Sequence, residues 1–213
     1  VHTGQNWDKN LNDIFFNDTI ETDVFPFKNG LEKVILYMPT HRNFGKQKMP
    51  MKDILDLKIL NELCSKNNTT FIIKKHYCHY NEIEELDGLN NIEDFTQIEL
   101  DSQQLLKYAD ILITDYSSCY IDYLLLDRPV IFYNYDFNQY ILNDIELYFD
   151  YDTTTPGEKV QDFTGLYSSL KKILVDGIDP FADYRQSVKN IFYSEDNQQQ
   201  VGEKILKYVK ENL

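Results

Sequence analysis

The chain has 213 residues, 42% of them hydrophobic, with 16 Tyr and 13 Phe and a formal net charge of −14. That length suits one large domain, or one domain with a small appendage, and the aromatic content supplies a core, which excludes a disordered chain. The acidity excludes a general nucleic-acid binder and broad adhesion to anionic lipid, both of which need a basic footprint.

In chain order, the opening VHTGQNWDKN has no initiator Met and lacks the apolar run of a signal peptide. Residues 1–30 read as a linker or the remnant of a preceding domain, ahead of one domain over 31–213. The first predicted strand is Lys33–Met38, a continuous apolar run stopped by Pro39, as suits a parallel strand buried on both faces. A helix is predicted over Met51–Ser65, where Ile54, Leu55, Leu57, Leu60, Leu63 and Cys64 fall largely on one face. A second strand, Thr70–Lys74, follows Asn67-Asn68.

From His76 to Leu106 the chain has no Lys or Arg, which marks exposed connecting structure, with one short strand near Asn91–Phe95. Asp101 is a predicted N-cap, with Gln104 at the third helical position of a capping box. That helix ends near Tyr108. Strand Ile111–Ile113 then delivers Thr114-Asp115-Tyr116-Ser117-Ser118 into a helix reaching about Leu126. Asp127-Arg128-Pro129 turns into strand Val130–Tyr133. After Asp136 the pattern loosens, until three amphipathic helices appear, near Phe163–Leu174, Phe181–Phe192 and Val201–Val209. Short apolar runs alternating with amphipathic stretches predict an α/β, Rossmann-like fold with a mostly parallel sheet and C-terminal helices.

Three cysteines, Cys64, Cys78 and Cys119, make no disulfide framework. Cys64 and Cys119 read as small buried hydrophobes, and a reducing, cytoplasmic setting follows. No apolar run approaches the ~20 residues that span a bilayer.

The polar clusters all lie where strands end, which is where doubly wound sheets bind ligands. Ser117 or Ser118 at a helix start can cap the helix or help hold a phosphate. Lys74-Lys75-His76 offers cations and a histidine fit for acid–base work or phosphate binding, and a surface histidine is the plainer reading. His76, Cys78 and His79 have the wrong spacing for a structural zinc site, so no metal is expected. Arg42 can fork onto phosphate or stand as a solvated loop charge. With Lys46, Lys48 and Lys52 it forms one candidate basic patch, and Lys74 with Lys75 forms another.

These clusters carry a family resemblance. Leu36-Tyr37-Met38-Pro39-Thr40-His41-Arg42, Lys74-Lys75-His76, Ala109 through Ser118, Asp122 through Asp136, and Tyr148-Phe149-Asp150-Tyr151 followed by Pro156-Gly157 occur in order. Together they resemble the CDP-glycerol glycerophosphotransferases of teichoic-acid and capsule synthesis. Three positions depart from that pattern. His41 stands where the family often has Trp, Tyr77 stands in place of Pro, and Leu142-Asn143-Asp144-Ile145 lacks an Arg-Gly pair.

The resemblance implies the C-terminal, nucleotide-donor half of a GT-B fold, two Rossmann-like domains facing a cleft. It implies transfer of glycerol phosphate, or a related alditol phosphate, from a CDP-alditol to a surface-polymer acceptor with release of CMP, without cofactor or metal. Carried over by position, His76 would contact the pyrophosphate or assist the leaving group. Ser117 and Ser118 would hold the phosphates, with Thr114 in the same block. Thr40, Arg42 and Lys74 would line the cleft, and Asp115 and Asp122 would orient the loop or a sugar hydroxyl. Such an enzyme works at the cytoplasmic membrane face, reached here through another segment or a partner. Two readings stand beside it: a GT-B transferase using another nucleotide sugar, and a non-catalytic nucleotide-binding or interaction module.

Overall fold

The computed structural model describes residues 32–80, 84–143, 149–193 and 201–212. The assignment of residues 1–30 lies outside them, as do Asp144 and Ile145. Six strands form one sheet in the order β3-β2-β1-β4-β5-β6. They are β1 Lys33–Tyr37, β2 Thr69–Ile73, β3 Ile92–Asp94, β4 Ile111–Thr114, β5 Val130–Tyr133 and β6 Glu158–Val160. Every pairing is parallel. This is the doubly wound order, whose direction of winding reverses between β1 and β4.

Both faces of the sheet are covered, which is why β2, β4 and β5 are buried at every position. The period of two splits each strand between two cores. Ile35, Tyr37, Phe71, Ile73, Ile113 and Ile131 pack with α1 (Leu57–Lys66) and α6 (Phe163–Leu174) through Leu60, Leu63, Leu166 and Leu170. Val34, Leu36, Ile72, Leu112, Val130 and Phe132 pack with α2 (Ser102–Tyr108), α3 (Cys119–Tyr123) and α7 (Ala182–Phe192) through Leu105, Leu106, Tyr123 and Val188. Each fully buried leucine stabilises the fold by about 1.5–3 kcal/mol.

The helix predicted from Met51 starts later. Pro50 leads into a 3-10 turn, Met51–Asp53, and the Asp56 carboxylate accepts the Ile59 N–H to open α1 at Leu57. Met51 and Leu55 still reach the core, from outside the α-helix. The helix expected to run to Leu126 divides into α3 and a 3-10 turn, Leu124–Leu126, closed by Asp127 at φ 50°. In the stretch where the pattern loosens lie α4 (Phe137–Asn143), α5 (Tyr151–Thr154) and β6. The last helix, α8, spans Val201–Asn212.

Candidate functional site

The loops leaving the C-terminal ends of β1 to β4 line a cleft of about 1230 Å³, to which α4 and α5 also contribute through Tyr140, Tyr151 and Thr154. Of the residues expected at the site, Thr40, Lys74, His76, Asp115, Ser117, Ser118 and Asp122 line it.

Arg42 and Thr114 are not on that wall, and each has a different task. The Arg42 side chain is 2% exposed. Its Nη2 donates to Asp115 Oδ2 at 2.9 Å, its Nε to Asp136 Oδ2 at 2.5 Å, and its Nη1 to the Thr40 carbonyl at 2.7 Å. Rings of Tyr116, Tyr135 and Tyr140 surround the guanidinium at 5.0–5.5 Å. Burial opposes its charge, but Asp115 and Asp136 more than compensate and raise its pKa further. The fork that suits phosphate is filled by the protein's own carboxylates, so Arg42 braces the floor beneath the cleft. The basic patch drawn through Arg42 is thereby reduced to the exposed Lys46, Lys48 and Lys52. Thr114 is buried, and its hydroxyl donates to the Met38 carbonyl at 2.8 Å, joining β4 to the end of β1.

Asp115 organises the loop. Its Oδ1 accepts the Thr40 N–H at 2.8 Å, the Thr40 hydroxyl at 2.6 Å and the Tyr116 N–H at 2.6 Å. Ser117 Oγ accepts the Cys119 N–H at 3.3 Å and opens α3. Ser118 occupies the N-cap position without a side-chain capping bond and is exposed on the cleft. Asp122 accepts from the Tyr193 hydroxyl at 3.3 Å and from Gln103 Nε2 at 3.5 Å.

On the opposite wall, Lys74 Nζ donates to the carbonyls of Phe95 at 2.9 Å and Ile98 at 2.5 Å. Burial lowers its pKa. Lys75 also borders the cleft, but it is 3% exposed and ion-paired with Glu84. His76 begins a 3-10 turn, Tyr77–His79, and its Nδ1 accepts the Cys78 N–H at 3.4 Å. That bond leaves the ring proton on Nε2. Burial first, then His41 and His79, push the His76 pKa down to about 4, so the ring is neutral at pH 7.

Sequence reasoning missed Asp136, Tyr116, Tyr140 and Gln97. Asp136 closes one matched block, but only the fold carries it to Arg42. Tyr116 donates to Asp136 at 3.0 Å and stacks on Tyr140 at 3.8 Å. Gln97 lines the cleft and donates to the Tyr80 carbonyl at 3.1 Å. The three cysteines are free; Cys64 is buried, and Cys119, expected to be buried too, is partly so.

A parallel sheet wound in both directions, with serines, a lysine and a neutral histidine around one cleft at its reversal point, is a Rossmann-like α/β fold with a candidate ligand site. The family model for CDP-glycerol:poly(glycerophosphate) glycerophosphotransferase matches residues 11–211, and the chain belongs to that family. It is 31% identical over 186 residues to the teichoic acid ribitol-phosphate polymerase TarL of Staphylococcus aureus, covering 80% of this chain and 32% of the relative. It is 32% identical over 188 residues to a teichoic acid poly(glycerol phosphate) polymerase of Bacillus spizizenii, covering 85% and 45%. A solved structure of a variant of the wall teichoic acid polymerase TagF superposes with a TM-score of 0.67 at 26% identity, covering 95% of this chain and 52% of that one. The chain thus spans about a third to a half of the length of these proteins. Among the described residues no helix is long and apolar enough to cross a membrane.

Proposed function

We propose that residues 31–213 bind the nucleotide donor in a transfer of glycerol phosphate, or a related alditol phosphate, from a CDP-alditol to a surface-polymer hydroxyl. The observation that carries this reading is the placement of Lys74, His76, Ser117 and Ser118 around one cleft at the sheet's reversal point. The diphosphate lies between the two walls. The neutral His76 ring donates Nε2–H to a phosphate oxygen, Lys74 supplies a positive charge, and Ser117 and Ser118 supply hydroxyl groups. Thr40 and Asp115 hold the intervening loop, and Asp122 faces the sugar hydroxyls.

In the reaction the acceptor oxygen attacks the phosphorus bearing the alditol. The bond from that phosphorus to the bridging oxygen breaks, CMP departs with the electron pair, and the hydroxyl proton passes to a base on the acceptor side. Donors aimed at the bridging and CMP oxygens stabilise the charge that develops there. Because His76 offers a neutral N–H, it acts by hydrogen bonding to that charge. The acceptor belongs to the remainder of the family's architecture, and the reaction belongs at the cytoplasmic membrane face.

Calorimetric titration with CDP, CDP-glycerol and UDP tests the reading. CDP is expected to bind more tightly than UDP, and His76→Ala to weaken CDP about tenfold or more, as befits a hydrogen bond to a charged group. Tighter binding of UDP would replace the CDP-alditol with another nucleotide sugar.

A further inference from the structure

The cleft runs across the C-terminal ends of the strands from the β4 loop to the β3 loop. Three strand spacings separate β4 from β3, roughly 14 Å, a span that a nucleoside diphosphate bridges. With the phosphates at His76, Ser117 and Ser118, the base has two directions to take. Toward α4 and α5 the rings are engaged with one another: Tyr116 stacks on Tyr140, and Phe149 meets Phe192 edge-on. Toward β3 the wall is formed by Tyr80, Gln97 and Ile98, all three exposed. Apolar surface beside one polar side chain suits a flat base with a polar edge.

The backbone at that end is held in place. After β3 the chain makes a tight turn, in which the Ile98 N–H donates to the Phe95 carbonyl at 3.1 Å. Lys74 Nζ donates to the carbonyls of the same two residues, so one cation from the β2 loop pins both ends of the turn. At its start the Thr96 N–H donates to Asp94 Oδ1 at 2.8 Å. Gln97 rides on this turn, and its Nε2 donates to the Tyr80 carbonyl at 3.1 Å. That bond sets the amide, because the opposite orientation would bring Oε1 against a carbonyl, two acceptors with no hydrogen between them. Oε1 is thus the acceptor that the carboxamide offers to a ligand.

We propose that Gln97 reads the nucleobase, its Oε1 accepting a hydrogen from the exocyclic amine of cytosine. Cytosine carries a donor at the ring position where uracil carries an acceptor oxygen. To satisfy that oxygen the amide would turn Nε2 toward it, losing the bond to Tyr80 and setting Oε1 against the carbonyl. A backbone carbonyl that locks a neutral amide thus supplies the discrimination. Tyr80 and Ile98 flank the base with apolar surface, and Lys74 is also the positioning residue that holds the turn. The inference deepens the donor reading and rests on it in taking cytosine as the base.

Calorimetry with CDP, UDP, inorganic pyrophosphate and the diphosphate of 2-pyrimidinone riboside tests the assignment, the last being cytidine diphosphate without its exocyclic amine. Wild type should bind CDP about tenfold more tightly than UDP or the amine-free analogue, the scale of one hydrogen bond. Gln97→Met keeps the length of the side chain without its polar edge, and should bind the three nucleotides alike with pyrophosphate affinity unchanged. A Gln97→Met chain that keeps the wild-type preference for CDP would overturn the assignment and leave the donor reading intact. So would a wild type that prefers CDP to UDP but binds the amine-free analogue as tightly as CDP. Weaker pyrophosphate binding in Gln97→Met would make Gln97 a support of the turn, and would overturn its role as reader. A wild type with no preference for CDP over UDP would end the cytidine reading and this assignment together.

Discussion

Arg42 Nη2 and Asp115 Oδ2 lie 2.9 Å apart, with the two side chains 2% and 0% exposed. One residue follows β1 and the other follows β4, so the pair joins the two loops that flank the sheet's reversal point. Asp136, after β5, grips the same guanidinium with both carboxylate oxygens. Three strand-end loops thus converge on one cation, and Thr40, which lines the cleft, is held by the same Asp115.

Arg42→Ala leaves Asp115 and Asp136 without that cation, and removing one partner of a buried ion pair typically costs about 3–5 kcal/mol. Urea unfolding should show a loss of that order, a large share of a typical domain's ~5–15 kcal/mol. Arg42→Lys keeps the charge but loses the planar fork, and should fall in between. A midpoint for Arg42→Ala within about 0.5 kcal/mol of wild type, as is usual for surface substitutions, would show that the pair does not hold the floor.

Thr114 and Ser117 sit three residues apart, yet only Ser117 lines the cleft. Thr114→Val should cost about 1 kcal/mol through the lost bond to the Met38 carbonyl, and leave CDP affinity unchanged in the folded chain. Ser117→Ala should cost about 0.5–2 kcal/mol as a lost helix cap and also weaken CDP several-fold. Calorimetry and melting on both variants separate the roles, and weaker CDP binding by Thr114→Val would return that hydroxyl to the ligand.

The sheet was legible because β1, β2, β4 and β5 are short apolar runs buried on both faces, and nothing in their pattern competes with that reading. β6 was not, since Glu158-Lys159-Val160 is an edge strand with one buried residue and carries too little periodicity to see. The start of α1 was misplaced because Met51 and Leu55 are core residues that a helical period also accommodates. At the site, the strand-end position of His76, Ser117 and Ser118 could be read directly. The burial of Arg42 could not, because Asp136 lies 94 residues away and only the fold brings it there.

The depressed pKa of His76 makes stability depend on pH with a definite sign. The folded ring titrates at about 4, and the unfolded one near the ordinary value of about 6.5. Between these values the unfolded chain binds more protons, so stability falls as pH drops through that window. Difference curves from urea unfolding at pH 7 and pH 4.5 isolate the ring from the carboxylates, which titrate in both proteins. His76→Gln should lose less stability on acidification than wild type, and equal losses would mean that the ring is not held neutral by the fold.

Gly45 ties the β1 loop to the histidine turn. It adopts φ +81°, where side chains are disfavoured, and a Cβ there would meet the Cys78 Cβ at 2.4 Å. Cys78 is the residue whose N–H holds His76 Nδ1. Gly45→Ala should therefore destabilise the chain by about 1–3 kcal/mol through overpacking and backbone strain. It should also weaken CDP, because the turn that aims the imidazole must move. Adding Cys78→Gly removes the atom in the way while leaving the strained φ, so the double variant should regain CDP affinity without recovering full stability. Calorimetry and melting on the single and double variants give both readings, and a double variant that binds no better than Gly45→Ala would mean that the contact with Cys78 does not set the position of His76.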